Sequence, residues 1–393
     1  MFAPIYAVPL TGTAVATERT ELRVRDSGGG VQADAEATAT LRLTLRGRHL
    51  ELGLGASPRF TAFSFMNSSR DAFVASNGSF VIGWRERRWG IFVSEDGGYG
   101  LENFATLRYA PVTPLPGAVP GQPTAPTTPG TLPIGTDTLT TVNSRSALSA
   151  YQLPRSRWAV NESAAFELTG GATTQAQAFL PMIYGPRANV GADWRFAHLD
   201  HLGLVADASY QIFSIGNDIG LGTAELRYRH DLAAHSSFTL TAGPAAATIR
   251  TRATDTQVTH PYVTASAGVS YRRGFLGTRL AVDAVARFAP VVDRIAATVD
   301  PRVSVALETT WTTHRLVLLL GASAIQSTTV QVASPAITFV GGNATVRIPV
   351  ARTVDLEAGT RAALQRFAGA VFASYGFFFA VNLHAPVLYF RTE

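Results

Sequence analysis

The side chains able to do chemistry in this chain are few in kind. Among 393 residues there are 33 basic ones, every one an arginine, with 28 Asp+Glu, eight His and no cysteine. Without cysteine there is no disulfide framework, thiolate nucleophile or Cys-ligated metal site. Without lysine there is no GxxxxGK phosphate loop, Schiff base or kinase-type lysine. No GxSxG elbow, HExxH pair or EF-hand run occurs, and no Ser–His–acid grouping can be placed, so the expectation is a protein that is not an enzyme and needs no cofactor. Seven of the eight histidines (His49, His198, His201, His230, His235, His314, His384) fall near short polar turns. His198, His201, His230 and His235 invite a metal-cluster reading. No HxxxH-type spacing supports it, and interfacial polar residues with no metal are the plainer reading.

Charge narrows the class further. The net charge of +5 and pI near 9.7 suggest nucleic acid. The arginines, however, are scattered along alternating segments without a basic helix or an aromatic–basic motif, so no nucleic-acid partner is expected. Charged residues make up 16% of the chain, against about 25% in an average soluble domain. Mean hydropathy is only +0.13, and the longest clearly apolar stretch, 316–325, is about half of what a membrane-spanning helix needs. The first ten residues (MFAPIYAVPL) have no basic n-region and are too short for a signal peptide, so a secretory leader is expected to lie outside the sequence shown.

The elements that must hold these charges are strands. Apolar and polar residues alternate with period 2, as in ELRYR (225–229), RLAVD (279–283) and DLEAGTR (355–361), and each segment puts its charges on one face. Short polar turns centre near 47, 87, 155, 200, 233, 273, 314 and 352. Between them lie longer Gly/Ser/Thr/Asp-rich connections at 27–35, 56–70, 102–139, 170–187, 214–218, 250–258, 289–298, 327–336 and 366–370. Short and long connections alternate, as the two ends of an antiparallel meander require. Eight short turns join sixteen strands, and one strand on each side (14–26 and 371–383) makes about eighteen. Asn77-Gly78, a hairpin signal, puts the register there in question, and sixteen is the alternative. A repeat near 40 residues also fits a propeller, but each unit holds two long strands rather than four short ones.

The expected architecture is all-β, an antiparallel up-and-down transmembrane barrel. Residues 1–13 read as a short periplasmic extension and 14–393 as one barrel with a long Pro/Thr-rich loop at 102–139. From 110 to 136 that loop has eight prolines and no charge. As the third long connection it is either a constriction folded inward or an exposed tether. Trp84, Trp89, Trp158, Trp194 and Trp311 all flank short turns, as a membrane-interface girdle would.

Several stretches also carry a resemblance: 39–61 (ATLRLTLRGRHLELGLGASPRFT), 84–104 (WRERRWGIFVSEDGGYGLENF), the Pro/Thr-rich loop that follows, and 287–300 (RFAPVVDRIAATVD). On these the chain resembles porin-type outer-membrane β-barrels, and more narrowly is similar to large barrels encoded in myxobacterial genomes. The resemblance implies fold and location, not substrate. One departure is the end of the chain, where Phe390 is followed by Arg391-Thr392-Glu393 instead of closing on an aromatic residue.

The functional expectation follows from the face the alternation turns inward. Its pore-lining candidates are Arg195, Glu225, Arg227, Arg229, Arg279, Asp283, Arg302, Glu308, Arg347, Glu357 and Arg361. The same face receives Glu21, Arg23, Arg25, Glu167, Asp193, Asp207, Arg287 and Asp355. Folding the hairpin about Arg352 sets Arg347 opposite Glu357. An eighteen-stranded barrel is wide enough for an aqueous channel. The leading reading is therefore a porin-like outer-membrane channel of a Gram-negative bacterium, with periplasmic termini. It would pass small hydrophilic solutes by diffusion with weak ion selectivity. The alternative is a non-conducting barrel whose long loops bind a partner or surface polymer. The expected surroundings are the lipid bilayer and lipopolysaccharide, with room for a homo-oligomer.

Overall fold

The computed structural model describes residues 11–26, 31–64, 72–103, 138–153, 157–233, 236–275, 278–293, 297–328, 337–367, 370–385 and 387–391. The first strands are β1 (Thr11–Asp26), β2 (Val31–Arg46), β3 (Leu50–Ser64), β4 (Ala72–Arg85), β5 (Trp89–Asn103) and β6 (Thr138–Gln152). The middle of the chain forms β7 (Trp158–Gly171), one turn and a half of helix α1 (Thr174–Phe179), β8 (Ile183–Arg195), β9 (Asp200–Phe213), β10 (Asn217–Ala233), β11 (Ser236–Thr251) and β12 (Thr256–Phe275). There follow β13 (Thr278–Asp293), β14 (Thr298–Thr312), β15 (Val317–Ser327), β16 (Ile337–Ala351), β17 (Val354–Phe367), β18 (Ala370–His384) and the short β19 (Leu388–Arg391).

Each strand pairs antiparallel with the next, and β1 closes the sheet on β18. This is a closed barrel of eighteen staves. The last stave is broken: β18 covers Thr17–Asp26 of β1, and β19 resumes after 385–387 to cover Thr11–Ala14. Both ends of the described chain therefore sit at the short-turn end, where Thr11 pairs with Arg46. Phe390 lies against Gly12 there, and β19 through Arg391 completes the wall. Among the described residues no helix is long and apolar enough to cross a membrane.

Several boundaries differ from expectation. The first strand begins at Thr11 rather than 14, so only 1–10 of the expected 1–13 extension lie before it, outside the described residues. Of the loop expected at 102–139, the core 104–137 also lies outside them. Asn77-Gly78 is mid-strand, paired with Ser57-Ala56 on one side and Gly98-Gly97 on the other, and no extra hairpin forms there. β3 and β8 run through parts of the connections expected at 56–70 and 170–187. The turn expected at Arg272-Arg273-Gly274 comes after Phe275. The connections after β1, β9, β11, β13 and β17 are as short as the turns at the other end, so length alone does not separate the two ends. The helix α1, capped by the Thr173 hydroxyl on the Ala176 N–H, gave no periodic signal because it is only six residues long.

Prolines explain the irregularities of the wall. Proline has no N–H to give a ladder, and among the described residues every in-strand proline marks a lapse or shift in pairing. The β2–β3 ladder skips beside Pro58, β8–β9 beside Pro186, β10–β11 beside Pro244, and β16–β17 shifts at Pro349. The largest lapse involves three prolines. β12 and β13 pair from Phe275/Thr278 only as far as Ala265/Phe288, while β12 continues to Thr256 and β13 to Asp293. Pro290 faces Pro301 across β13–β14. Two prolines can face each other only in a pair that exchanges no hydrogen bonds, so their nitrogens point outward to β12 and β15. The Thr328 N–H bond to the Pro301 carbonyl, 2.9 Å, agrees. In the same register Pro261 of β12 also turns its nitrogen toward β13. Two donors are therefore missing from one seam, and the seam opens.

What leaves the seam folds inward. Val292, Ala297 and Val299 of the β13–β14 hairpin pack with Ile183, Phe213, Ile219 and Ala247, and against Leu221, Ile249 and Tyr262. The wall residues of that cluster alternate with exposed outer ones such as Leu226 on β10 and Tyr210 on β9, so they belong to the inner face. Ala297, Phe213 and Ile219 are fully buried. Asn217 Nδ2 donates to the Ala297 carbonyl, 3.3 Å. Ala297 sits at φ 48°, a left-handed conformation costing a non-glycine residue about 1 kcal/mol, held by this burial. Val292, Ala297 and Val299 thus lie inside the long-loop mouth.

Candidate functional site

The inner face is the candidate site, and away from the proline lapses it is set by alternation along each strand. On β10 Glu225, Arg227 and Arg229 alternate with Leu226, which is 56% exposed on the outer surface. On β18 Phe378 and Asn382 are buried within, while Phe377 and Phe379 are exposed without. An ion pair from Arg287 on β13 to Glu225 on β10, 3.4 Å, passes two intervening strands. Only the concave side of a closed sheet allows such a chord.

The densest charge cluster lies at the closing seam. Glu357 on β17 accepts from Arg19 (2.8 Å), Arg347 (3.2 Å) and Asn382 Nδ2 (3.2 Å). Glu21 on β1 accepts from Arg19 (2.6 Å) and Arg23 (2.5 Å), and Arg23 continues to Glu36 on β2 (2.7 Å). Arg347 and Glu357 are also Cα partners, the pairing that folding about Arg352 predicts. The Arg361 guanidinium lies 4.6 Å from the Phe378 ring centroid, with Arg19 at 5.8 Å from the same ring. Glu21 and Glu357 are almost fully buried, so removing one partner would strand a charge, at a cost of about 3–5 kcal/mol.

A second tract covers β8–β13. Arg227 meets Asp193 at 2.5 Å, Arg187 meets Asp207 at 3.1 Å, Arg229 meets Asp231 at 2.8 Å, and Arg272 meets Asp283 at 2.5 Å. Arg195 instead donates to the His198 carbonyl of its own turn, 2.8 Å, at the short-turn rim. Asp283 faces Glu308 directly across β13–β14. Like charges so placed repel, and Asp283 is held by Arg272 while Glu308 stays exposed. Among the described residues Glu308 and Arg279 have no ion-pair partner.

Arg302 behaves differently from the other candidates. It is 8% exposed and tied to Asp293 (3.1 Å) and Asp300 (2.9 Å) at the root of the in-folded hairpin. Ser327 Oγ also donates to Asp300, 2.5 Å. Alternation alone puts Arg302 on an open inner wall. The register lapse that buries it depends on which way two prolines point, and period 2 does not reveal that. Arg19, Glu36, Asp293 and Asp300 were outside the candidate set, although Arg19 continues the alternation of Glu21 and Arg23 by one step. The side chain of Arg25 lies outside what is described.

At the opposite end the tryptophans are 39–47% exposed and gather on the outer rim. Trp158 stacks on Trp194 (5.9 Å), and Trp84 stacks on His49 (5.3 Å) and donates to Glu86 (3.2 Å). Four of the rim histidines are paired with carboxylates: His49 with Glu86, His201 with Asp231, His230 with Asp200 and His384 with Asp355, all within 3.2 Å. Among the described residues no group of three or more His, Asp or Glu is arranged to hold a metal ion. His235 lies outside the described residues.

The fold resembles solved outer-membrane barrels at very low identity. OccK2 (OpdF) from Pseudomonas aeruginosa, solved in complex with glucuronate, aligns with a TM-score of 0.50 at 12% identity, over 95% of this chain and 98% of that one. The FrpB iron transporter from Neisseria meningitidis aligns with a TM-score of 0.53 at 9% identity, over 90% of this chain and 62% of that one. These likenesses establish the barrel fold. The sequence matches none of the curated proteins. Residues 11–377, from β1 into β18, match the EpsX exopolysaccharide export family, and the chain belongs to that family.

Proposed function

We propose that this barrel is an outer-membrane channel acting in exopolysaccharide export, with the short turns and both termini on the periplasmic side. The observation that carries the reading is the contrast of its two faces. The outer face is apolar from Leu22 and Leu54 round to Phe377, suited to lipid, and the inner face is a mosaic of Arg, Asp and Glu that only water can solvate. In this reading Arg195, Glu225, Arg227, Arg229, Arg279, Asp283, Glu308, Arg347, Glu357 and Arg361 line the path, and the five tryptophans sit at the periplasmic membrane interface. Ion pairing within the wall leaves little net field along it, so small hydrophilic solutes and ions also pass with weak selectivity. The surrounding lipid includes lipopolysaccharide, a homo-oligomer is compatible with the outer face, and the narrower resemblance is to barrels of myxobacteria.

Planar-bilayer recording of the purified protein tests the channel. Discrete current steps with reversal potentials near zero in a salt gradient are expected. Silent bilayers from several preparations that insert normally would overturn it. The in-folded β13–β14 hairpin favours one second reading, a non-conducting barrel whose outer end binds the polymer. Silent bilayers together with retained polymer binding would select it.

A further inference from the structure

The inward fold of the β13–β14 hairpin has left a free edge in the wall. From Thr256 to Thr264, β12 is paired with β11 on one side, and among the described residues nothing pairs with it on the other. The Thr264 hydroxyl bond to the Gly243 carbonyl, 3.2 Å, shows Gly243 turning its carbonyl toward β12. Thr264 and its even-numbered neighbours therefore face β11, and the odd-numbered residues face the gap. Gln257, Thr259 and Val263 turn an N–H and a carbonyl outward, and Pro261 a carbonyl alone. The last closed pair is at Ala265, ten residues from the strand's short-turn end at Phe275, and the gap starts beyond it. That is about the length that crosses a bilayer in a tilted strand, so the gap opens at the level of the outer membrane surface. Val263 is 60% exposed there. The segment TQVTHPYVT has no charged side chain, and the charges beside it are paired: Arg250 with Asp255 at 2.7 Å and, near Tyr262, Asp300 with Arg302 at 2.9 Å. On the inner side of the gap the rings of His260 and Tyr262 stand 6.4 Å apart.

From these we propose that the free edge of β12, with His260 and Tyr262, is a lip that binds a neutral sugar chain and guides it sideways past the in-folded hairpin. This deepens the export reading and rests on it. The chemistry suits a polyhydroxyl ligand. Alternating backbone donors and acceptors match hydroxyl groups, which both give and accept hydrogen bonds, and aromatic rings pack on the C–H faces of sugars. A charged polymer finds no counter-charge on this edge. Backbone groups left open in this way also attract a β-strand of another protein. Pro261 opposes that by removing one donor in the middle of the edge, whereas a sugar needs no regular ladder.

The test uses the full chain in lipid nanodiscs and reads amide hydrogen exchange with and without a size-graded neutral glucan oligosaccharide series. An oligogalacturonate series is the acidic comparison. Exchange at Gln257, Thr259 and Val263 is expected to slow by about tenfold with the neutral series, and not with the acidic one. His260→Ala should weaken that protection while leaving the cluster around Val299 intact, as checked by unchanged exchange at Ile219. Amides that stay fast with every saccharide would overturn the proposal, as would protection produced only by a β-strand peptide. Current block by the same glucan without edge protection would overturn the lip and leave the channel standing. A bilayer that stays silent would instead remove the channel.

Discussion

Replacing Val299 with aspartate should release the β13–β14 hairpin from the inner wall. Val299 is 2% exposed and packs with Ile219, Phe213 and Ala247. Losing its burial forfeits about 1.5–3 kcal/mol, and forcing a carboxylate into the same apolar pocket adds several kcal/mol. Against this stand Val292, the small Ala297 side chain and the Asn217 bond to the Ala297 carbonyl, with the Arg302 pairs to Asp293 and Asp300 holding the hairpin at its root rather than against the inner wall. That bond contributes about 1 kcal/mol net, and about 1 kcal/mol of left-handed strain at Ala297 opposes the docked state. The balance moves to the undocked hairpin. Single-channel recording should then give larger or noisier steps than the parent, and limited proteolysis should cut within 289–302. Val299→Thr, nearly isosteric, should shift both readouts less, since its hydroxyl is far cheaper to bury than a charge. Parent-like conductance together with parent-like protease resistance in the aspartate variant would refute the packing argument, because a buried carboxylate cannot be accommodated without some yielding of the latch.

Two further outcomes follow from the wall itself. Glu357→Gln keeps the shape but removes the charge shared by Arg19 and Arg347, and urea unfolding followed by tryptophan fluorescence should show a loss of about 3–5 kcal/mol; a change below 1 kcal/mol would mean that water already screens the cluster. Pro290→Val with Pro261→Thr restores two N–H donors to the β12–β13 seam, and should slow exchange of the Thr259 and Val263 amides as β13 zips along β12; unchanged exchange would show that proline is not what holds the seam open.

Most of the wall was legible because period 2 is a strong signal when one face meets lipid and the other meets charge. The alternation through 225–229 and 355–361 set the faces, and turn counting set eighteen staves. The Arg347–Glu357 pair followed from a single turn position. Turn residues were less informative. Asn77-Gly78 looks like a hairpin and lies mid-strand, because Ser57 and Gly98 hold it in two ladders at once and outweigh the local preference. The β12–β13 opening was written in Pro261, Pro290 and Pro301. Reading it needs the register across three strands, which a one-dimensional pattern does not contain. For the same reason Arg302 was expected on an open wall and lies in a buried network.

The seam between the first and last staves carries a consequence for assembly. Arg19 and Glu357 are 338 residues apart in the chain yet share a bond, whereas each other stave meets a neighbour across one turn or loop. Bringing distant segments together costs more chain entropy than closing a short hairpin, so this joint is the last to form as the cylinder rolls up. Arg19, Arg23 and Arg347 with Glu21 and Glu357 then act as a keyed clasp. Slipping β1 by one residue against β18 would turn Arg19, Glu21 and Arg23 toward lipid, so the wrong closure is penalised at the step where the open sheet is most exposed to error.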